Sequence, residues 1–194
     1  MSSSPITAAA AEFVAPSARR RLLGLLVAVV VALAVFAAPQ LSAPASAKAL
    51  AHTAHSEKIF ARTMLKVLNR ERVAHNLRPL TMNSKLILSA HRHNLAMAKA
   101  DEMSHQVKGE KFFADRISAA HYNWMSAGEN IGWNSNMTRP GLRYLEREMY
   151  HEKAPDNGHR LNILDHSFRN VGIDVYFDKA HNKMWFTQDF GQPA

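Results

Sequence analysis

Apolar side chains recur three and four positions apart from Glu57 to about His75, at Phe60, Met64, Val67 and Leu68, and that spacing predicts an amphipathic helix. Asn76-Leu77-Arg78-Pro79 ends it, because proline pushes the residue before it out of helical angles. Asn83 or Ser84 can cap a second helix running to about Met103, with Leu86, Ala90, Leu95, Met97 and Ala98 available for packing. A short helical piece covers Phe112 to Ala120, and Thr138 and Pro140 open a fourth helix in the cap-then-proline order. On that helix Leu142, Leu145, Met149 and Glu152 lie three, four and three residues apart, which sets them along one face. A carboxylate at the inner end of an apolar stripe is costly unless it meets a cation or several donors. The competing reading ends the helix at Tyr150 and leaves Glu152 in water.

Beyond Gly158 the period changes. His159 to Asp165 reads as a short helical turn, and then Val171, Ile173, Val175 and Phe177 alternate with Gly172, Asp174 and Tyr176. A period of two predicts a half-buried strand. Asp178 to Lys183 holds the turn formers Asp178 and Asn182, and Met184 to Phe190 returns as a second β-rich run, so the two form an antiparallel hairpin. Helices first and strands last predict an α+β fold, with helices packed on a small antiparallel sheet.

Ahead of the helices, Arg19, Arg20 and Arg21 precede an apolar stretch from Leu22 to Ala38, then Ala43-Pro44-Ala45-Ser46-Ala47. Basic region, apolar region and a small-residue A-x-A site in that order predict a secretory signal cut after Ala47. The competing reading is an uncleaved anchor, since the apolar stretch of 17 residues sits at the lower edge of the roughly 17 to 25 that span a bilayer. The expected organisation is therefore a signal over 1–47, a flexible lead-in over 48–56 and one domain over 57–194, a length that suits a single core. The expected location is secreted or at the cell surface, with membrane contact only through the N-terminal segment if it stays attached.

Charge and cysteine content narrow the chemistry. The chain carries 24 basic and 16 acidic residues, a net charge of +8, and the leader accounts for only three of the arginines and one glutamate. A positive excess favours anionic surfaces such as cell-wall polymers or phospholipid headgroups. The basic residues of the domain are scattered without a Lys/Arg run, and export separates the protein from chromosomal DNA, which argues against nucleic-acid binding. The absence of cysteine excludes disulfides and thiolate chemistry and limits any metal site to His, Asp and Glu ligands.

Four residues stand out: His105 in Met103-Ser104-His105, Glu129 in Gly128-Glu129-Asn130, Glu152 in Tyr150-His151-Glu152 and His159 in Gly158-His159-Arg160. Two imidazoles facing two carboxylates can hold a divalent cation or share protons. Each also has a plainer reading: His105 as a helix-end charge against the last carbonyls, Glu129 as a turn residue accepting backbone N–H groups, and His159 as the cap of the turn that follows. Other constellations are weaker. His151-Glu152 opens like a zinc-protease helix, but Pro155 stands where the second histidine is required. His91-Arg92-His93 sets its imidazoles two apart, on different faces of a helix, and reads as a solvated patch. Ser104 beside His105 is poorly placed for an activating hydrogen bond. Trp124 and Trp133 read as packing residues, with stacking on a ligand ring as the alternative.

Seven stretches together resemble the CAP superfamily, the group of cysteine-rich secretory proteins, antigen 5 and pathogenesis-related 1 proteins that carries the SCP domain, and in particular its bacterial branch. They are Leu68-Asn69-Arg70-Glu71-Arg72, Leu77 to Leu80, Ser104-His105, Gly128-Glu129-Asn130-Ile131, Gly158-His159-Arg160-Leu161-Asn162-Ile163-Leu164, Val171-Gly172-Ile173 and Thr187-Gln188-Asp189-Phe190-Gly191. The resemblance implies an α-β-α sandwich with an open cleft floored by two histidines and two acidic residues. His105, Glu129 and His159 fall in the motifs that supply three of these. Glu152 is assigned as the fourth because Met149-Tyr150-His151-Glu152 stands where many relatives have a tryptophan-led segment ending in glutamate, and Glu148 is its rival.

Two neutral imidazoles suit Zn²⁺ or another divalent cation, with His105 and His159 as the ligands, and a carboxylate accepting from each free ring N–H would fix its tautomer. The expected function is ligand binding in the cleft, with lipid, sterol and glycan as the candidate classes. The alternative is a metal-assisted hydrolase of peptides or esters with Glu129 or Glu152 as base, and a third reading is a structural interaction module. Binding is preferred over catalysis because no nucleophile or oxyanion donor can be named.

Overall fold

The computed structural model describes residues 45–194, with side chains described from residue 53 onward. The leader read over 1–47 lies, up to residue 44, outside the described residues. Helix α1 (Ala45–Ala74) starts well ahead of Glu57 and takes in Lys48 to Ser56, the stretch expected as a flexible lead-in. Its alanine-rich sequence carries strong helix formers and neither glycine nor proline, so nothing local interrupts the helix.

A short strand, β1 (Thr81–Met82), leads into α2 (Ser84–Ala100). Asn83 caps α2 by accepting the N–H groups of Lys85 and Leu86 at 2.9 and 3.4 Å. The helix stops short of Met103 because Asp101 adopts left-handed angles, φ 51°, a common way to close a helix end. Then follow α3 (Phe113–Ala119), β2 (Trp124–Asn134), α4 (Arg139–Tyr150), α5 (Gly158–Leu164), β3 (Asn170–Asp178) and β4 (Lys183–Pro193). Thr138 Oγ1 accepts the Gly141 N–H at 3.3 Å and Pro140 occupies the first turn of α4, in the order the sequence predicts.

The hairpin of β3 and β4 is present, with Val171 opposite Phe190 and Asp178 opposite Lys183. Two features enlarge the expected sheet. β2 pairs antiparallel with β4 along its length, and β1 pairs parallel with β3, giving a mixed sheet in the order β1-β3-β4-β2. β2 escaped the alternation test because almost all its residues are buried, and a strand covered on both faces shows no polar period.

Side chains sort to the two faces by the pleat of the sheet. Val171, Ile173, Val175, Met184, Phe186 and Phe190 pack with Met64 and Leu68 of α1, Leu142, Leu145 and Met149 of α4 and Ile163 of α5. On the opposite face, Leu86 of α2 packs with Phe113 and Ile117 of α3, and Met97 packs with Ile131 and Trp185. The result is the α-β-α sandwich that the resemblance implies. α2 lies directly on the sheet: a Cβ at Gly172 would come within 2.1 Å of the Leu86 carbonyl carbon, so only glycine fits there.

Candidate functional site

β2 is an edge strand, and its residues alternate between the two faces. The Glu129 side chain goes to the face of α2 and α3, while its neighbour Asn130 turns to the other and donates to the His159 carbonyl at 3.3 Å. The two histidines therefore flank the same strand, His105 from the loop after α2 and His159 from α5. Asn162, one turn after His159, bridges across by donating to the Glu129 carbonyl at 3.2 Å and to Asn130 Oδ1 at 2.9 Å. Gly128 leaves room for this bridge, since a Cβ there would lie 2.5 Å from Asn162 Oδ1.

Glu129 is fully buried and both its oxygens are occupied. Oε1 accepts from His105 Nδ1 at 2.7 Å, and Oε2 accepts from Arg116 Nη2. Burial alone would push its carboxyl up. The His105 hydrogen bond, with His93 and Arg116 nearby, outweighs burial and holds it at about 2. Arg116 also donates to the His105 and Lys111 carbonyls, both at 2.8 Å, and its Nε stands 3.5 Å from Glu110. His93 is completely buried, with Nδ1 2.8 Å from Glu110 and Nε2 3.9 Å from Glu129 Oε1, beyond hydrogen-bond range. Asp189 sits opposite Glu129 in the β ladder, and burial together with the Glu129 charge raises its carboxyl well above the usual range.

The other pair is built differently. α4 ends at Tyr150, as the competing reading had it, yet Glu152 is not left in water. The chain turns back so that Glu152 Oε1 meets His159 Nδ1 at 2.5 Å, and Oε2 accepts the backbone N–H groups of His159 and Arg160 at 3.0 and 3.4 Å. The buried carboxylate that does extend the Leu142, Leu145 and Met149 stripe is Glu146. Glu148 faces outward beside Arg147, 3.6 Å away, so the acid beside His159 is Glu152.

Each histidine thus presents Nδ1 to a carboxylate, which draws the ring proton to that nitrogen. The Nε2 atoms of His105 and His159 are buried and meet no hydrogen-bond partner among the described residues. An orphaned Nε2 on a carboxylate-anchored ring is the kind of donor that a divalent cation takes. Among the described residues no group of three or more His, Asp or Glu side chains is placed to hold a metal ion. A cavity of about 550 Å³ opens elsewhere, between α1, α2 and β3, lined by Ala61, Ile87, His91 and Asp174 among others.

His93 corrects the sequence reading: it is a fully buried member of the Glu129 network, while His91 stays partly exposed beside Asp174. Ser104 bonds the Gln106 backbone and not His105. Trp124 donates to Ser118 Oγ, and Trp133 packs beside Trp185 and under Lys183. Sequence reasoning missed Arg116, Glu110 and Asp189. A trace of Asp189 was available, as an acid inside an otherwise apolar strand, but nothing local marks Arg116 as the partner of a residue on the next strand.

A family model described as the cysteine-rich secretory protein family, CAP, matches residues 65–190. Among solved structures, an extracellular protein containing an SCP domain from Bacillus anthracis superposes with a TM-score of 0.60 at 23% identity, over 70% of this chain and 41% of that one. An outer surface protein of Borrelia burgdorferi gives 0.59 at 14% identity, over 71% of this chain and 95% of that one. A cysteine-rich secretory protein of Staphylococcus aureus gives 0.52 at 19%, over 70% and 39%. The chain thus spans about two fifths of the Bacillus and Staphylococcus chains, and at these identities the likeness carries the fold alone. No curated protein sequence matches the chain.

Proposed function

The chain belongs to the cysteine-rich secretory protein (CAP) family, and we propose that it is an extracellular or cell-surface binding domain whose His105, Glu129, Glu152 and His159 form a divalent-cation and ligand site. The observation that carries this reading is the pair of buried, unpartnered Nε2 atoms on rings whose Nδ1 atoms rest on carboxylates. His105 and His159 would hold the ion, Zn²⁺ or another divalent cation, and Glu129 and Glu152 keep the two rings in the donor tautomer. When bound, such an ion supplies a Lewis acid for a ligand oxygen and acidifies a bound water. Two imidazoles leave positions open and predict weak, exchangeable binding. The ligand classes remain lipid, sterol or glycan, and the positive charge of the chain suits anionic cell-surface polymers.

Binding is favoured over metal-assisted hydrolysis by the state of the acids. A general base needs an oxygen free to take a proton and a pKa near the working pH. Both Glu129 oxygens are engaged and its carboxyl is held far below that range, and both Glu152 oxygens are engaged as well. An extracellular location rests on the Arg19 to Ala47 pattern and on neighbours described as extracellular or outer-surface proteins.

The test is a calorimetric titration of Zn²⁺, Ca²⁺ and Mg²⁺ into the purified protein and into the His105→Ala/His159→Ala double variant. Saturable binding in the first and none in the second is expected, and equal heats in the two would end the metal reading. A lipid and glycan array showing no signal above heat-unfolded protein would end the ligand reading.

A further inference from the structure

A second acidic pair lies on the opposite face of the sheet from Glu129. Glu71 of α1 and Glu146 of α4 bring their carboxyl groups together, a juxtaposition that two carboxyl groups tolerate in the core with a proton between them. Glu146 is completely buried, and Glu146 Oε1 and Glu71 Oε2 are both buried atoms with no other hydrogen-bond partner among the described residues. The remaining Glu146 oxygen, Oε2, accepts from Gln188 Nε2 of β4 at 2.8 Å. Gln188 Oε1 in turn accepts from Asn130 Nδ2 at 3.0 Å, the same amide that reaches the His159 carbonyl. The pair therefore joins α1 to α4 and ends on the backbone of one site histidine.

We propose that Glu71 and Glu146 form a proton-held latch between α1 and α4, closed while the pair keeps a proton and released, together with the Gln188-Asn130-His159 tether, when the proton leaves. The charged groups facing the pair are few. Arg160 of α5 and Arg70 of α1 act on Glu71, with Arg160 itself donating to the Tyr150 carbonyl, and Glu146 faces Glu71 and the neutral Gln188. No arginine or lysine forms an ion pair with either carboxylate among the described residues, so a second ionisation leaves two like charges face to face in the core. Burial first, then this repulsion, raises Glu146 well above its ordinary range, and burial raises Glu71 to about 7. Both folded values stand above the unfolded one. The stabilisation is then full below about pH 4.5 and is lost as pH rises through about 7 and beyond. The latch works whether or not the imidazoles hold an ion.

The experiment compares thermal unfolding of the intact protein and of Glu146→Gln from about pH 5 to about pH 8. Glutamine keeps the shape, accepts from Gln188 and donates to Glu71, which then ionises in the ordinary range. The wild-type Tm should fall by about 5 °C or more relative to the variant across this window. Asp189 and Glu57, whose carboxyls are also raised, are common to both proteins and cancel in the difference. Glu71→Gln should flatten the profile in the same way. Parallel profiles would overturn the proposal. Carboxyl carbon NMR of the wild type decides independently of either variant: a Glu71 or Glu146 carboxyl titrating near pH 7 or above supports the latch, and both titrating between about 4 and 5 sink it.

Discussion

The two histidine–carboxylate pairs are each closed by an Nδ1–carboxylate hydrogen bond and differ in what restrains the acid. Glu129 is a strand residue, fixed by its register opposite Asp189 and held by the Arg116 guanidinium arriving from α3. Glu152 lies in the coil after α4 and is held by two backbone N–H groups only seven and eight residues ahead of it. The first acid depends on tertiary structure, and removing it strands a buried cation. The second depends on a local turn, and removing it strands two backbone N–H groups and the His159 ring nitrogen but no permanent charge. The strand-held acid is therefore rigidly fixed and the turn-held acid more adjustable.

The strongest way to break this contrast is Glu129→Ala, which leaves Arg116 buried without its partner. Denaturant unfolding should show a loss of about 3 to 5 kcal/mol, and a loss below about 1 kcal/mol would make the two halves equivalent. Glu152→Ala should cost about 1 to 3 kcal/mol and speed amide exchange at His159 and Arg160. Unchanged exchange there would mean that the turn holds itself without the carboxylate. Acid sharpens the comparison. The folded Glu129 carboxyl at about 2 lies below its unfolded value, so its stabilisation is present above about 4.5 and lost as pH falls through about 2. Glu129→Gln should lose less stability than the wild type between those limits, and equal losses would remove the ionised carboxylate from the account. The smallest effect belongs to the bridge between the halves. Gly128→Ala forces Asn162 Oδ1 away, at a cost of about 1 kcal/mol, and the energetic coupling of Glu129 to Glu152 in a double-mutant cycle should shrink with it. Coupling that survives the alanine would mean that Asn162 is not the link.

The same contrast explains what the sequence could disclose. Helices α1, α2 and α4 and the β3-β4 hairpin expose one side, so their periods are visible along the chain. β2 is covered on both sides and has none. His105, Glu129 and His159 were found through short motifs, while Glu152 required choosing among acids near the end of α4. The apolar stripe of α4 pointed to Glu152 as its buried carboxylate, whereas that place belongs to Glu146 and Glu152 reaches the site by a turn. Arg116, His93 and Asp189 gather around Glu129 only after α2, α3 and two strands have packed. Glu71 stands inside a recognised stretch, Leu68 to Arg72, but the need for a proton there appears only when Glu146 arrives from another helix.

Arg116 gives three bonds with one head group, to the Glu129 carboxylate and to the carbonyls of His105 and Lys111. The connection between α2 and α3 is thus buttoned to the edge strand at its middle and at its end by a single charge. That segment cannot peel away in stages: lifting either carbonyl off the guanidinium loosens the grip on the other and on the acid beneath. His105 should accordingly move only in a concerted opening of the whole connection, so that in the proposed site its ring would be the fixed jaw.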